Sequence, residues 1–167
     1  ATSVARHSSR PVHAPISVFA SLAISEFKPT PAISVLMPVK NAATYLPEAL
    51  RSIACQHWRD YEVVVVDDGS TDHTAEIVRH QGANDARVRL FRRDAEGIVS
   101  ALNFGLEQCR ASLVARMDGD DVMHPARLAC QYEAFQNSPD IALSATAVNL
   151  FPVQAVGVGM YEYINWQ

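Results

Sequence analysis

The feature that most constrains the fold is an unbroken run of β-branched residues, Val63 to Val66, which follows Glu62 and stops at two adjacent acids, Asp67 and Asp68. A strand with one face in water would alternate apolar and polar residues, and this run does not. We therefore predict a central strand that is covered on both faces. Such strands are typical of parallel sheets with helices packed on each side.

Short apolar runs alternate with helical patterns along the rest of the chain. The predicted strands are 33–37, 62–66, 88–91 and 113–117, with a fifth from Ile141, and the predicted helices cover 46–53, 71 or 72 to about 80, 98–109 and 128–135. Pro38 is expected to end the first strand and Gly82 the second helix. This order implies right-handed crossovers and an α/β fold: an open, mostly parallel sheet with helices on both faces.

Composition fits one globular domain and excludes some partners. The chain has 167 residues, of which 49% are hydrophobic and 19% charged, which is enough for one core and argues against disorder. The net charge is −4 and no basic run exceeds Arg92-Arg93, so we predict no nucleic-acid partner. The odd cysteine count, without a C-x-x-C spacing, predicts buried free thiols in a reducing cytosol at Cys55, Cys109 and Cys130.

Acidic residues follow two of the predicted strands where each strand ends. Asp67 and Asp68 follow the second strand, and residues 118–121, Asp-Gly-Asp-Asp, follow the fourth. Open parallel sheets bind ligands beyond the carboxyl ends of their strands, so we expect both acid groups and the loop at 38–41 to lie there. Clustered carboxylates suit Mg²⁺ or Mn²⁺, with phosphate oxygens completing the shell. The alternatives are a solvated acidic turn and, for Asp67, a turn-capping role.

Five motifs lie in order between residues 33 and 148. They are ISVLMPVKN from Ile33 to Asn41, Tyr45-Leu46, VVDDGSTD from Val65 to Asp72, Gly97 with Ala101 and Asn103, and RMDGDD from Arg116 to Asp121 with Pro125 and Arg127-Leu128. Together they resemble the family 2 glycosyltransferases of the GT-A fold, whose nucleotide-binding half is Rossmann-like.

The resemblance implies transfer of one sugar, of hexosyltransferase type and with inversion, from a nucleoside diphosphate sugar to a glycan or lipid-linked acceptor in polysaccharide biosynthesis. A UDP-sugar is favoured. The implied nucleotide-sugar contacts are Pro38, Val39, Asn41, Asp67, Asp68, Gly97, Asn103 and Asp118. Asp68 would accept a base N–H. Asp118 would lie near the ribose and in the metal shell, and Asp120 would bind Mn²⁺ or Mg²⁺ directly.

The chain departs from the family pattern in its last part. The family's general base is an acid in the later, acceptor half, whereas Glu162 is the only acid here after Asp140. We therefore expect the base to lie beyond Gln167 and the chain to be a C-terminally truncated, donor-binding half. A nucleotide-sugar-binding module without turnover is the alternative. The expected location is cytoplasmic, with peripheral association at the inner membrane face as a further expectation.

We divide the chain into three parts. Residues 1–30 form a leader or flexible segment of unknown role, because they are rich in Arg and Ser and poor in acids. Residues 31–150 form the nucleotide-sugar-binding domain, and 151–167 begin an incomplete acceptor-side region. The uncharged run 141–160 has the length of a membrane span, but Asn149, Pro152, Gln154, Gly157 and Gly159 interrupt it, so we prefer a strand followed by a loop.

Overall fold

The computed structural model describes residues 30–151, in which strands and helices alternate. The elements are β1 Ile33–Val39, α1 Leu46–Ala54, β2 Tyr61–Asp68, α2 Thr74–Asn84, β3 Val88–Arg93, α3 Ile98–Gln108, β4 Leu113–Arg116 and α4 Arg127–Asn137. The expected leader, apart from Thr30, and the expected acceptor-side region, apart from Phe151, lie outside the described residues. In the described part of the chain, no helix has the length and apolar character needed to cross a membrane.

The four strands form one parallel sheet in the order β3-β2-β1-β4. Leu36, in the middle of β1, pairs with Val64 of β2 on one side and with Arg116 of β4 on the other. This confirms the predicted α/β class. It also places a single strand, β1, between the two strands that lead into the acids.

The sheet buries both of its faces, as the apolar run in β2 predicts. Val63 and Val65 face a core with side chains of α1, α2 and α4, whereas Val64 and Val66 face Ala101 of α3. All eight residues of β2 are buried. Each valine or leucine removed from water in this way stabilises the fold by about 1.5–3 kcal/mol.

Two predicted element ends were wrong. β1 continues through Pro38 to Val39, because the missing N–H of Pro38 points toward β4, where the ladder has already ended at the pairing of Leu36 with Arg116. α2 continues through Gly82 to Asn84. A Cβ at residue 82 would lie 3.3 Å from the carbonyl oxygen of Val88, so this glycine allows close packing of α2 on β3 instead of ending the helix.

The predicted fifth strand is not formed within the described residues. Residues 141–150 have no ladder partner there, and Leu143 and Val148 are 85% and 60% exposed. β-Branched residues favour a strand only where a neighbouring strand can pair with them. The predicted burial of the thiols was wrong for Cys55, which follows α1, and for Cys130 of α4, since both are exposed; Cys109 is partly buried.

Candidate functional site

The candidate site lies at the carboxyl rim, the edge of the sheet at which β1, β2 and β4 end. The acid corner, residues 118–121, follows β4, and Asp68 ends β2. The β1 loop, residues 39–45 at the end of β1, lies between them and contacts the acid corner directly: a Cβ on buried Gly119 would lie 2.9 Å from Cγ1 of Val39 and 3.3 Å from Cβ of Ala42. The absence of a side chain at Gly119 therefore lets the acid corner pack onto the β1 loop.

Asp68 is buried and holds the loop that follows β3. Its carboxylate accepts hydrogen bonds from the backbone N–H groups of Glu96 at 2.8 Å and Gly97 at 3.0 Å, and Lys40 Nζ lies 3.4 Å away. Burial acts to raise the pKa of Asp68, but these donors outweigh it and hold the pKa below its usual value. Gly97, at φ 93°, adopts the left-handed backbone that presents its N–H to Asp68.

A carboxylate offers about four acceptor positions, and the N–H of Gly97 reaches both oxygens of Asp68, so the predicted base N–H would take the place of Lys40, whose contact of 3.4 Å is the longest. Asp67 is different, because it is fully buried. Its two oxygens accept from the N–H of Ser70 at 2.9 Å and from Nε of Arg92 at 3.0 Å. This geometry matches the turn-capping alternative for Asp67.

Asn41 joins the β1 loop to the loop after β2. Its backbone has φ 50°, a left-handed conformation that asparagine tolerates. Its N–H donates to Ser70 Oγ at 2.9 Å, its Oδ1 accepts from the N–H of Thr71 at 2.9 Å, and the next residue, Ala42, donates its N–H to Thr74 Oγ1 at 2.8 Å. The side chain of Asn41 therefore connects the loop after β1 to the loop after β2.

The acid corner carries its own arginine. Nε and Nη2 of Arg116 donate to Oδ1 of Asp118 at 3.2 and 3.0 Å, and Nη2 also reaches Oδ2 at 3.2 Å. Nη2 of Arg127 donates to the carbonyl oxygen of Arg116 at 3.1 Å. Burial, followed by the charges of Asp118 and Asp120, raises the pKa of Asp121. The carboxylates of the acid corner thus repel one another.

The donor set of the acid corner fits a hard divalent cation when water or the phosphate oxygens of a substrate complete the shell. Among residues 30–151, no group of three His, Cys, Asp or Glu side chains is arranged to hold a metal ion. Mg²⁺, however, is commonly held by one or two carboxylates together with phosphate oxygens and water. Asp118 and Asp120 have the right chemistry for that shell, and a cation would relieve the repulsion that Asp121 experiences.

A cavity of about 820 Å³ opens beside the acid corner. Asp118, Asp121, Arg116 and Arg127 form charged parts of its wall, and its apolar lining includes Phe151. Ligand cavities in proteins are typically about 300–1,000 Å³. The cavity therefore has the size and the mixed lining that a sugar with attached phosphates requires.

Two further predicted contacts, Pro38 and Val39, are buried in β1 and support the rim from below. Asn103 is exposed on α3, two residues beyond buried Ala101. Two residues correspond to about 200° around a helix, so Asn103 faces away from the sheet. The structure does not bring it to the rim.

Sequence reasoning gave no role to Lys40 or Arg116, although both lie inside recognised motifs. Lys40 neighbours Asp68, and Arg116 holds Asp118. The signal for Arg116 was its spacing, since it precedes Asp118 by only two residues. No comparable local spacing joins Lys40 to a residue of another strand.

Comparison with known proteins relates this geometry to a family. The family model described as "Glycosyl transferase family 2" matches residues 34–151. The chain is 32% identical over 139 residues to the chondroitin synthase of Escherichia coli, which covers 83% of this chain and 20% of that protein.

Solved structures give the same relationship. TarS 1-349 of S. aureus in complex with UDP-GlcNAc is 32% identical with a TM-score of 0.56, over 63% of this chain and 31% of that one. Mannosyltransferase PcManGT of Pyrobaculum calidifontis in complex with GDP-Man and Mn²⁺ is 29% identical with a TM-score of 0.54, over 64% and 32%. The chain thus spans about a third or less of the length of each of these relatives.

Proposed function

The chain belongs to glycosyl transferase family 2, and from this premise we propose that it binds a nucleoside diphosphate sugar, with UDP favoured, for transfer of the sugar to a glycan or lipid-linked acceptor. The observation that carries the proposal is the strand order, which sets β1 between β2 and β4. Asp68 and the acid corner therefore flank one loop, and a nucleotide can lie across it.

The environments of the acids support one orientation of the donor. Asp68 is buried, its donors hold its pKa below the usual value, and a base N–H can replace the long contact from Lys40. The acid corner is open and adjoins the large cavity. We place the base beside Asp68, and the diphosphate and sugar beside the acid corner. TarS bound to UDP-GlcNAc and PcManGT bound to GDP-Man support a donor of this class.

Asp118 and Asp120 would hold Mn²⁺ or Mg²⁺, an assignment that the Mn²⁺ in the PcManGT complex supports. When bound, such an ion acts as a Lewis acid that stabilises the charge of the departing diphosphate. The chain's own contribution is positional: the strand order sets the donor, and Arg116 and Arg127 bring positive charge to the cavity wall. Inverting transfer also needs a general base on the acceptor side, and we assign none within residues 30–151.

Calorimetric titration of UDP, GDP and dTDP, with and without Mn²⁺, tests the proposal. We expect UDP to bind most tightly and Mn²⁺ to strengthen its binding. Asp120→Ala should weaken UDP binding in Mn²⁺ by about tenfold or more, because loss of even a residue that only supports a metal ligand costs about 10–100-fold in metal affinity. Asp60→Ala is the matched control, because it removes an exposed acid that directly precedes β2, at the end of the sheet opposite the carboxyl rim. UDP binding that responds neither to the metal nor to Asp120→Ala would refute the proposal.

A further inference from the structure

The ion pair between Arg116 and Asp118 has a geometry that calls for an explanation. Arg116 ends β4, and Asp118 follows two residues later, just beyond the strand. Nη2 of Arg116 reaches both oxygens of Asp118, and the two side chains are 55% and 42% exposed. Such exposed pairs contribute about 0–1 kcal/mol to stability, so stabilisation of the fold accounts for little of this arrangement.

Among the acids of the acid corner, Asp118 alone has an ion-pair partner within the described residues. It is also one of the two carboxylates that would bind the cation. A guanidinium that spans both oxygens of a carboxylate excludes a cation from the same position, because the two positive charges would repel at close range. The arginine therefore holds the place that the metal ion would take.

We propose that Arg116 and the divalent cation compete for Asp118, and that cation binding releases Arg116 to contact the diphosphate of the donor. This inference rests on the proposed function. Arg116 lines the same cavity as Asp118 and Asp121, so a released guanidinium remains at the edge of the donor position. Its backbone is held by Arg127, which leaves the side chain free to move while the strand end stays fixed.

The proposal predicts opposite effects on two ligands. Loss of the guanidinium frees Asp118, so Arg116→Gln should bind Mn²⁺ alone about threefold more tightly. The same variant loses a diphosphate contact, so it should bind UDP in saturating Mn²⁺ about tenfold more weakly. Arg116→Lys keeps the charge but cannot span both oxygens, so its affinity for Mn²⁺ alone should lie between those of the native protein and Arg116→Gln.

The experiment uses the full chain and measures Mn²⁺ affinity from the electron paramagnetic resonance signal of free Mn²⁺, then UDP affinity by calorimetry. Arg51→Gln is the matched control, because it removes one positive charge from an exposed ion pair with Glu48 on α1. We expect this variant to bind both ligands like the native protein. Circular dichroism checks that every variant is folded.

The outcomes separate this inference from the proposed function. If native protein binds Mn²⁺ and UDP but Arg116→Gln binds Mn²⁺ no more tightly, the competition is refuted and the proposed function stands. If Arg116→Lys equals the native protein while Arg116→Gln binds more tightly, charge alone acts and competition for Asp118 is also refuted. Unchanged UDP binding by Arg116→Gln would refute the diphosphate contact. Absence of Mn²⁺ binding by every protein, both with and without UDP, would refute both proposals.

Discussion

At the scale of single residues, the acids of the rim differ in how their charges are satisfied. Asp68 is 5% exposed and receives backbone N–H groups, which bind the charged carboxylate and fix its position. Asp118 is open to solvent and receives an arginine side chain that can exchange for another cation. The first arrangement suits a permanent anchor and the second a site that changes partners.

Asp68→Asn tests the anchor. The substitution removes the charge that holds the N–H groups of Glu96 and Gly97, and an amide cannot accept hydrogen bonds at both of its ends. We expect the free energy of unfolding to fall by about 2 kcal/mol in urea denaturation, because a buried charge-assisted contact is lost. UDP binding should weaken in the same variant.

Asp60→Asn, an exposed acid outside the rim, should leave both quantities unchanged. If Asp68→Asn is as stable as the native protein, Asp68 does not hold the loop after β3.

The roles of rim residues could be predicted from the sequence only in part. Asp68 and the acid corner were placed at strand ends because apolar runs and turn residues are local signals. The bonds from Asn41 to Ser70 and Thr71 join residues about thirty positions apart. No local sequence pattern predicts contacts over so long a sequence separation. The sequence therefore indicated the acids but not the residues that hydrogen-bond across the rim.

At the scale of elements, helix α3 shows how close packing fixes the floor of the site. Gly105 faces Leu36 and Val66, and a Cβ at this position would overlap Cδ1 of Leu36 and lie 3.0 Å from Cγ2 of Val66. The glycine thus sets how near α3 approaches β1 and β2. Gly97, at the start of the same helix, is the residue that binds Asp68.

Gly105→Ala should therefore destabilise the protein although alanine favours helices. The gain in helix propensity is about 1 kcal/mol, whereas overpacking of a core costs about 1–3 kcal/mol. We expect a net loss of about 1 kcal/mol in the free energy of unfolding, measured by urea denaturation.

Asn103→Ala, on the exposed face of α3, is the control and should change the free energy of unfolding by less than about 0.5 kcal/mol. It should also leave UDP binding unchanged, because Asn103 faces away from the sheet. A stabilised Gly105→Ala protein would show that α3 can move away from β1 without cost.

The elements themselves were predicted well where burial decides them. All eight helices and strands of the described residues were expected from apolar runs, helical periodicity and turn or capping residues, and the errors lie at Pro38, at Gly82 and in the fifth strand. Each error has the same origin. Whether a proline interrupts a ladder, a glycine ends a helix or an apolar run becomes a strand depends on the neighbouring element, which the local sequence does not contain.

At the scale of the whole molecule, the strand order joins separate loops into one site. Parallel pairing was predictable from the uniformly apolar runs, but the position of β1 between β2 and β4 follows from tertiary packing. At the amino ends of the strands, opposite the carboxyl rim, ion pairs and hydrogen bonds join neighbouring elements. Buried Glu62 of β2 accepts hydrogen bonds from Ser34 of β1, from Arg89 of β3 and from Arg110, which lies between α3 and β4.

This charged cluster predicts how stability depends on pH. Burial acts to raise the pKa of Glu62, but the N–H of Arg110, the hydroxyl of Ser34 and the two guanidinium groups outweigh it and lower the pKa. The pKa values of Asp68 and Asp85 are lowered as well, again by hydrogen-bond donors. A carboxyl group with a lowered folded-state pKa adds stability above its unfolded pKa and loses it as the pH falls through the folded value.

Since unfolded Asp and Glu titrate near 3.9 and 4.3, the free energy of unfolding should decrease steadily below about pH 5. Asp121, whose pKa is raised, contributes with the opposite sign, but it is one group against several. Urea denaturation between pH 3 and 7 measures the slope. Glu62→Gln should be less stable at neutral pH and show a shallower acid slope, because the unfolded state then binds about one proton fewer.

If Glu62→Gln does not fold, Asp85→Asn offers a milder variant, because Asp85 holds only the nearby Arg87. This variant should also show a shallower acid slope, because it lacks the stability that the pair of Asp85 and Arg87 adds at neutral pH and loses in acid. Equal slopes for the native protein and both variants would mean that the acid sensitivity arises elsewhere. In that case, the ion pairs at the amino ends of the strands, opposite the carboxyl rim, would not be what stabilises the sheet and the rim at neutral pH.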